Sequence, residues 1–150
     1  MSLDITLYRP GRLVKRQCTG VYSRRGGETY EMTPEEVQER WPGTEIKLQE
    51  IETDVVWSGN ITHNLNRMAT AVGLYKTLWY SEKILGPSMY ANDLIPFLSL
   101  GLMSLNSSPS HYKTFNPRNG WGDYEQLVRF VEDYLEACRK WPDALIRISR

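Results

Sequence analysis

The sequence has few of the residues from which metal and redox sites are built. Its 150 residues include two cysteines, Cys18 and Cys138, and two histidines, His63 and His111. None of the four stands in a paired motif, and no loop carries the carboxylate triplet of a cation site. Two distant, unpaired cysteines favour a reducing compartment. We therefore predict no metal and no cofactor, and we expect a cytoplasmic protein.

A surplus of charge and a long apolar run are also missing. Eighteen Lys and Arg residues balance eighteen Asp and Glu residues, whereas a dedicated nucleic-acid-binding protein gains affinity from surplus positive charge. The stretch MSLDITLYRP has no basic region followed by an apolar core, and no apolar run approaches the length of a membrane span. We therefore expect no dedicated binding of nucleic acid and no membrane association.

The charges that are present are segregated along the first third of the chain. Every charged residue in 5–27 is basic, whereas 28–54 is acidic apart from Arg40 and Lys47. One explanation is that the two blocks face each other or are solvated. The other is that residues 9–54 offer a basic arm to an acidic partner or a phosphate. The sequence leaves both explanations open.

Hydrophobic periodicity predicts three strands and at least three helices in a single domain, 1–150. Leu3, Ile5 and Leu7 alternate with other residues in a strand over 2–8, and similar alternation predicts strands over 51–57 and 144–148. Helical spacing and end signals predict helices over 33–40, from near Thr62 to Gly73, over 74–79, from Asn92 or Asp93 to Leu105, and over 124–140. The predicted fold class is α+β: a small sheet of N-terminal, central and C-terminal strands is covered on one face by three or more helices.

The segment 116–124, NPRNGWGDY, concentrates residues that turn a chain and start a helix. Asn119-Gly120 suits a tight turn, because glycine reaches positive φ, and Asp123 followed by Gln126 is typical of a helix N-terminus. Trp121 has two interpretations. Either its indole packs back on the domain, or it forms the wall of a pocket and stacks on a planar ligand.

The strongest candidate site is the start of the helix predicted near Thr62. Such a start presents unpaired N–H groups, and Asn60, Thr62 and Asn64 accompany it without a carboxylate close by in the sequence. His63 and Arg67 are expected opposite the apolar stripe of the helix, facing water or a cleft. The pattern predicts an anion site, although Asn and Thr are also ordinary capping residues. His63 lacks a nearby Ser, Cys or Asp, so we assign no catalytic residue.

Several of these segments resemble a group of small uncharacterised proteins from bacteria and bacteriophage genomes. The shared features are NITHNLNRMA ahead of a helix, NPRNGWGDY, a long helix ending in EAC, and the closing PDALIRISR. The resemblance covers residues 50–150 and, more loosely, the first strand, whereas 11–49 is an elaboration that the shorter relatives lack. It implies a phage or mobile-element setting, and it supplies no catalytic residues.

These observations predict a non-enzymatic binding module of phage or mobile-element type. A small anionic ligand or a partner segment is expected at Asn60, Thr62, His63, Asn64, Arg67 and Trp121. The alternative is a protein–protein interaction domain that uses the charge-segregated residues 9–54. An enzyme is a third interpretation, which requires a carboxylate such as Asp123 or Asp4 beside His63.

Overall fold

The computed structural model describes residues 1–9, 15–52 and 54–150. Residues 10–14 and 53, which belong to the predicted basic arm and to the predicted strand over 51–57, lie outside the described residues. In chain order the elements are β1 Ser2–Tyr8, β2 Lys15–Cys18, β3 Tyr22–Arg25, β4 Glu28–Glu31, α1 Pro34–Arg40, β5 Gln49–Glu52, β6 Val55–Thr62, α2 Asn66–Ala71, α3 Tyr75–Trp79, α4 Glu82–Leu85, α5 Ala91–Ser107, α6 Pro109–Lys113, α7 Tyr124–Lys140 and β7 Leu145–Ser149. A 3-10 turn, His63–Leu65, connects β6 to α2.

The chain divides into two compact units. The first joins Met1–Pro10 to Val55–Arg150, and the second is Gly11–Asp54. The second unit spans the residues in which the sequence predicts an elaboration, 11–49. Among the described residues, no helix is long and apolar enough to cross a lipid bilayer.

A three-stranded antiparallel sheet, in the order β6-β1-β7, lies at the centre of the first unit. Ser2 pairs with Thr62, while Asp4 pairs with Asn60 on one side and with Ser149 on the other. The N-terminal, central and C-terminal strands therefore share one sheet, and helices cover one of its faces. The α+β prediction is confirmed.

Alternation along β1 fixes the position of the core. Leu3, Ile5 and Leu7 are fully buried beneath the helices, whereas Asp4 is exposed on the opposite face. Burying each large aliphatic side chain contributes about 1.5–3 kcal/mol, so a slip of one residue would exchange this core for polar groups. The opposite face of the sheet also carries Tyr8 and Leu145, which are half-buried. Its other side chains are polar and are exposed or half-buried: Ser2, Thr6, Ser58, Asn60, Arg147 and Ser149.

Helix α7 lies along β6 and runs in the opposite direction. A Cβ atom at Gly59 would lie 2.5 Å from Trp57 Cη2 and 2.9 Å from Phe130 Cε2, so only glycine leaves room for both rings. One turn later, the ring of Tyr134 stacks on Trp57 with 5.1 Å between the ring centroids and 3° between the planes. The helix therefore follows β6 backwards along the chain, and aromatic packing holds the two together.

The two edges of the sheet differ. The outer edge of β7 is covered, because the Ile146 N–H donates to the Met89 carbonyl at 2.8 Å and Tyr90 forms a bridge with Leu145. Within the described ranges, β6 pairs with β1 alone. One edge of the sheet is thus closed by the chain itself, and the other is formed by β6.

The second unit contains two short antiparallel pairs, β2 with β5 and β3 with β4, and helix α1. The predicted capping box is confirmed at α1: Thr33 Oγ1 accepts from the Glu36 N–H at 3.2 Å, and Glu36 Oε2 accepts from the Thr33 N–H at 2.8 Å. Pro34 occupies the first helical position, where its missing N–H costs nothing. Among the residues of this unit whose side chains the structure describes, the buried hydrophobic ones are Cys18, Met32 and Val37.

Two predicted boundaries are wrong, and tertiary hydrogen bonds explain both. The strand predicted over 51–57 is two strands, β5 and β6, and β6 continues to Thr62 because its last residues pair with β1. Helix α5 begins at Ala91 instead of being capped by Asn92 or Asp93. The Ala91 N–H donates to the Ala144 carbonyl at 2.8 Å, so a distant carbonyl takes the place of a side-chain cap.

Gly101 on α5 provides a test of core packing. A methyl group at this position would collide with the buried side chain of Leu74. Gly101→Ala should lower the free energy of unfolding by about 1–3 kcal/mol, although alanine is the better helix former by about 1 kcal/mol. Met103→Ala, at an exposed position of the same helix, should change it by about 0.5 kcal/mol or less. Urea unfolding measures both, and a stabilised Gly101→Ala protein would contradict the packing.

Candidate functional site

The segment predicted as a helix start is the end of a strand followed by a tight turn. Asn60 and Thr62 belong to β6, and helical structure begins at the next residue, His63, as a 3-10 turn that continues directly into α2. The predicted helix start near Thr62 is therefore confirmed, although its first turn is 3-10 instead of α. Thr62 does cap this turn, since its Oγ1 accepts from the Asn64 N–H at 3.3 Å and from Asn64 Nδ2 at 3.1 Å. Helix α2 that follows has six residues and no side-chain cap. Its dipole is correspondingly small.

A carboxylate also lies beside this segment, contrary to the prediction. Asn60 Nδ2 donates to Asp4 Oδ1 at 2.5 Å across the β1–β6 pair. The contact joins residues 56 positions apart, so no local pattern in the sequence reveals it. A negative charge at this position opposes the binding of an anion, which removes the main electrostatic argument for an anion site.

The sequence predicts that His63 faces water or a cleft, and the structure shows that it is not fully exposed. Its side chain is half-buried, and its ring meets Trp79 edge-on with 6.0 Å between the ring centroids. Its backbone N–H donates to the Met1 carbonyl at 3.4 Å. His63 Nε2 and Trp79 Nε1 are both buried, and neither forms a hydrogen bond within the part of the chain that the structure describes. Arg67, by contrast, is exposed on α2, as expected.

Aromatic rings continue from Trp79 to the end of β7. Tyr75 stacks on Trp79 at 5.4 Å and meets Tyr80 edge-on at 5.7 Å, and a hydrogen bond with Tyr80 raises the pKa of Tyr75. The guanidinium of Arg150 lies over Tyr80 at 4.4 Å and is ion-paired with Glu82. This network attaches α3 and α4 to the end of the sheet at which β1 begins, which gives His63 a packing role.

Residues 116–123, which contain Asn-Gly-Trp-Gly at 119–122 and are called the NGWG loop, are held in place by their own side chains. Asn119 Oδ1 accepts from the Trp121 N–H at 3.0 Å, Asn116 Oδ1 accepts from the Tyr124 N–H at 2.8 Å, and Asp123 Oδ1 accepts from the Gln126 N–H at 2.8 Å. The predicted roles of Asp123 as a helix cap and of Asn119-Gly120 as a turn are confirmed, and Gly120 adopts φ 75°. The loop therefore has a defined backbone.

Gly122 brings the segment 116–124 into contact with the segment 60–67, the two segments that the sequence singles out. A Cβ atom at this position would lie 2.8 Å from Thr62 Cγ2 and 3.0 Å from Leu65 Cγ. The loop thus packs directly against the end of β6 and the 3-10 turn. Gly122 also has φ 96°, a conformation that favours glycine. Because Trp121 precedes Gly122 directly, this contact also holds the backbone of Trp121 near the end of β6.

Trp121 is a large hydrophobic side chain that is mostly exposed to solvent. It is 64% exposed, so the prediction that its indole packs back on the domain is wrong. Its backbone N–H donates one hydrogen bond to Asn119 Oδ1, and the next residue, Gly122, packs closely against Thr62, so the backbone on both sides of the indole is held in place. An indole with this exposure on a hydrogen-bonded loop is available for contact with another molecule.

The residues with catalytic potential are not assembled around His63. Asp4 bonds to Asn60, and Asp123 caps α7, so both candidate carboxylates serve structural contacts. Burial raises the pKa of the Cys138 thiol to about 12, which leaves it protonated and unreactive at neutral pH. Among the described residues, no group of three or more His, Cys, Asp or Glu side chains is placed to hold a metal ion.

One candidate feature of this surface is not visible as a sequence motif, because it consists of backbone groups along β6. The sequence of β6, VVWSGNIT, contains no charged residue and no proline. Strands at the edge of a sheet are usually protected by such residues or covered by other parts of the chain. The sequence VVWSGNIT has neither, so it reads as a strand inside a sheet, and only the pairing pattern shows that β6 lies at an edge of the described sheet.

Comparisons with known protein families, with curated proteins and with solved structures found no match to this chain.

The close approach of Gly122 to β6 can be tested with a matched pair of glycines. Gly122→Ala and Gly120→Ala both place alanine at positive φ, which costs about 1 kcal/mol or more. Only Gly122 has Thr62 and Leu65 within contact distance of the added methyl group, whereas Gly120 has open space. Gly122→Ala should therefore lose about 1–3 kcal/mol more stability in urea unfolding. Equal losses in both variants would contradict the contact.

Proposed function

We propose that this chain is a non-enzymatic binding module that holds a segment of a partner protein at the surface formed by the NGWG loop and the end of β6. The observation that carries the proposal is the 64% exposure of Trp121 between two fixed backbone positions. Trp is enriched among the residues that dominate binding energy at protein interfaces. The site is the surface around Trp121, Thr62 and Asn64.

The exposed indole is large enough to supply substantial binding energy. Covering the exposed part of an indole removes roughly 100–160 Å² from water, worth about 2.5–4 kcal/mol at ~25 cal/mol/Å². The loop is held by three side-chain hydrogen bonds before any partner arrives, so little ordering entropy opposes binding. Both features are those of a preorganised contact residue.

A partner segment suits this surface better than the small anion that the sequence also suggested. Asp4 contributes negative charge next to Asn60, the helix at residues 66–71 is short, and His63 is half-buried against Trp79. These features weaken an anion site at the turn. Thr62, Asn64, Arg67 and Trp121 are still available to a partner: Asn64, Arg67 and Trp121 are exposed, and Thr62 is half-buried.

Binding through Trp121 can be tested with a displayed library of random peptides selected on the immobilised full chain. Peptides that bind the wild-type protein should lose at least tenfold in affinity on Trp121→Ala, because the variant removes the side chain that the peptide covers. Fluorescence polarisation of labelled peptides measures the affinity.

Trp41 provides the matched control, since its side chain is 47% exposed and lies in the second unit. Trp41→Ala should leave the affinities unchanged. The proposal fails if no peptide is enriched, or if the enriched peptides bind Trp121→Ala as tightly as the wild-type protein.

A second candidate function places the interaction in residues 9–54. The observation that favours it is that Gly11–Asp54 forms a compact unit of its own, with Tyr22, Trp41 and Leu48 exposed. An open depression of about 330 Å³ in this unit is lined by Arg25, Tyr30, Met32, Glu36, Glu39 and Arg40. Charged walls of both signs suit a partner with complementary charges.

Charge reversal and salt distinguish this second surface from the first. If residues 9–54 hold the partner, capture of that partner from lysate by the full chain should be lost in Arg24→Glu/Arg25→Glu and at high ionic strength, because exposed charges are screened over about 8–10 Å. Trp121→Ala should retain the partner. Retention by the charge-reversed protein in high salt would reject this candidate.

The cellular setting is part of the same proposal. The resemblance to small bacterial and phage proteins supports an accessory protein of a phage or mobile element that acts in the cytoplasm. In that setting the chain would act by binding a segment of a host or phage protein.

A further inference from the structure

The outer edge of β6 is chemically complementary to one kind of ligand. The His63 N–H donates to the Met1 carbonyl, and in an antiparallel ladder such bonded pairs alternate with non-bonded ones. In the recorded register, Ile61 and Gly59 therefore exchange hydrogen bonds with β1, while Ser58 and Asn60 direct their N–H and C=O groups away from β1.

The hydrogen-bond pattern on the other side of β1 agrees with this assignment. The Ile146 N–H points outward to the Met89 carbonyl, so the neighbouring residues of β7, Leu145 and Arg147, must bond to β1. The backbone N–H and C=O groups of Tyr8 and Thr6 therefore point to β7, and those of Leu7 and Ile5 point to β6. The outward groups of β6 are thus fixed from two independent hydrogen bonds.

This edge is accessible and unprotected where it approaches Trp121. Ser58 and Asn60 are exposed, and Gly59 is half-buried. The strand has no charge and no proline to discourage pairing. From Ser58 to Thr62 it extends about 13 Å at ~3.3 Å per residue, and it ends where Gly122 packs against Thr62.

We propose that the partner segment binds as an extended peptide that adds a strand to the outer edge of β6 and places a side chain against Trp121. The proposal rests on the proposed function and specifies how that site holds its ligand. Backbone N–H and C=O groups along β6 supply hydrogen bonds that tolerate many sequences, and the indole supplies selectivity. The outward N–H and C=O groups of β6 alternate in the order that the backbone of an added strand can pair with.

Charge favours a basic peptide over a second copy of this chain. Helix α7 follows β6, and Phe130 and Tyr134 place its middle beside Gly59 and Trp57. Three exposed carboxylates and one exposed cation, Arg129, occupy this middle part of the helix, which leaves it with net negative charge. The carboxylates are Glu132, Asp133 and Glu136. Pairing two copies of β6 about their midpoint would bring both sets of carboxylates together, whereas a peptide with Lys or Arg would be attracted.

The first test follows backbone amides by hydrogen exchange detected by NMR. In the free full-length protein, the amides of Ser58 and Asn60 should exchange at least tenfold faster than those of Gly59 and Ile61, which bond to β1. Adding a peptide selected in the Trp121 experiment should slow exchange at Ser58 and Asn60 to the rate of their neighbours. Unchanged exchange at these two amides on saturation would overturn strand addition.

The second test changes the peptide, so it does not depend on how variants of the protein fold. Methylation of single backbone nitrogens of the selected peptide should reduce affinity at every second position by tenfold or more, with little effect between them. Uniform tolerance of methylation, with binding still lost in Trp121→Ala, would overturn strand addition and leave the proposed function standing. Enrichment of acidic instead of basic peptides would also count against it.

Two further outcomes have separate meanings. Protection of Ser58 and Asn60 that grows with protein concentration in the absence of peptide would show that a second copy occupies the edge, which overturns the proposal of a foreign peptide. Failure to select any Trp121-dependent peptide would remove the proposed function, and strand addition with it.

Discussion

The pairing of β1 with β6 on one side and β7 on the other is the constraint on which the first unit depends. Leu3, Ile5 and Leu7 are fully buried, so β1 cannot shift by one residue without burying polar side chains. The register then brings Met1, His63 and Arg150 to the same end of the sheet. There the rings of Trp79 and Tyr80 contact His63 and Arg150 and attach the short helices.

The proposed binding surface follows from this register through α7. Stacking of Tyr134 on Trp57 and the fit of Phe130 against Gly59 align the helix with β6. The start of the helix, and the NGWG loop before it, must then lie at the end of β6. The loop therefore holds exposed Trp121 next to Gly122, which packs against the last residue of β6.

Features that depend on neighbours in sequence were predictable. The capping box at Thr33 and Glu36, the Asp123 cap, the burial pattern of β1 and the long helix α7 all follow from local hydrogen bonding or from hydrophobic spacing. The segment from Ser58 to Thr62 was not predictable in this way. Asn and Thr suit a helix start as well as a strand, and only the pairing with β1 shows that the strand continues to Thr62, the residue that also caps the 3-10 turn.

The amino-acid sequence by itself determined the fold class, the principal strands and helices, and the turn chemistry around Gly120, because periodicity and short-range capping act over a few residues. Only the tertiary structure decided which groups meet. It placed Asp4 beside Asn60, turned His63 against Trp79, left Trp121 exposed and made β6 an edge. Each of these depends on contacts between residues far apart in the chain, and no local pattern encodes such contacts.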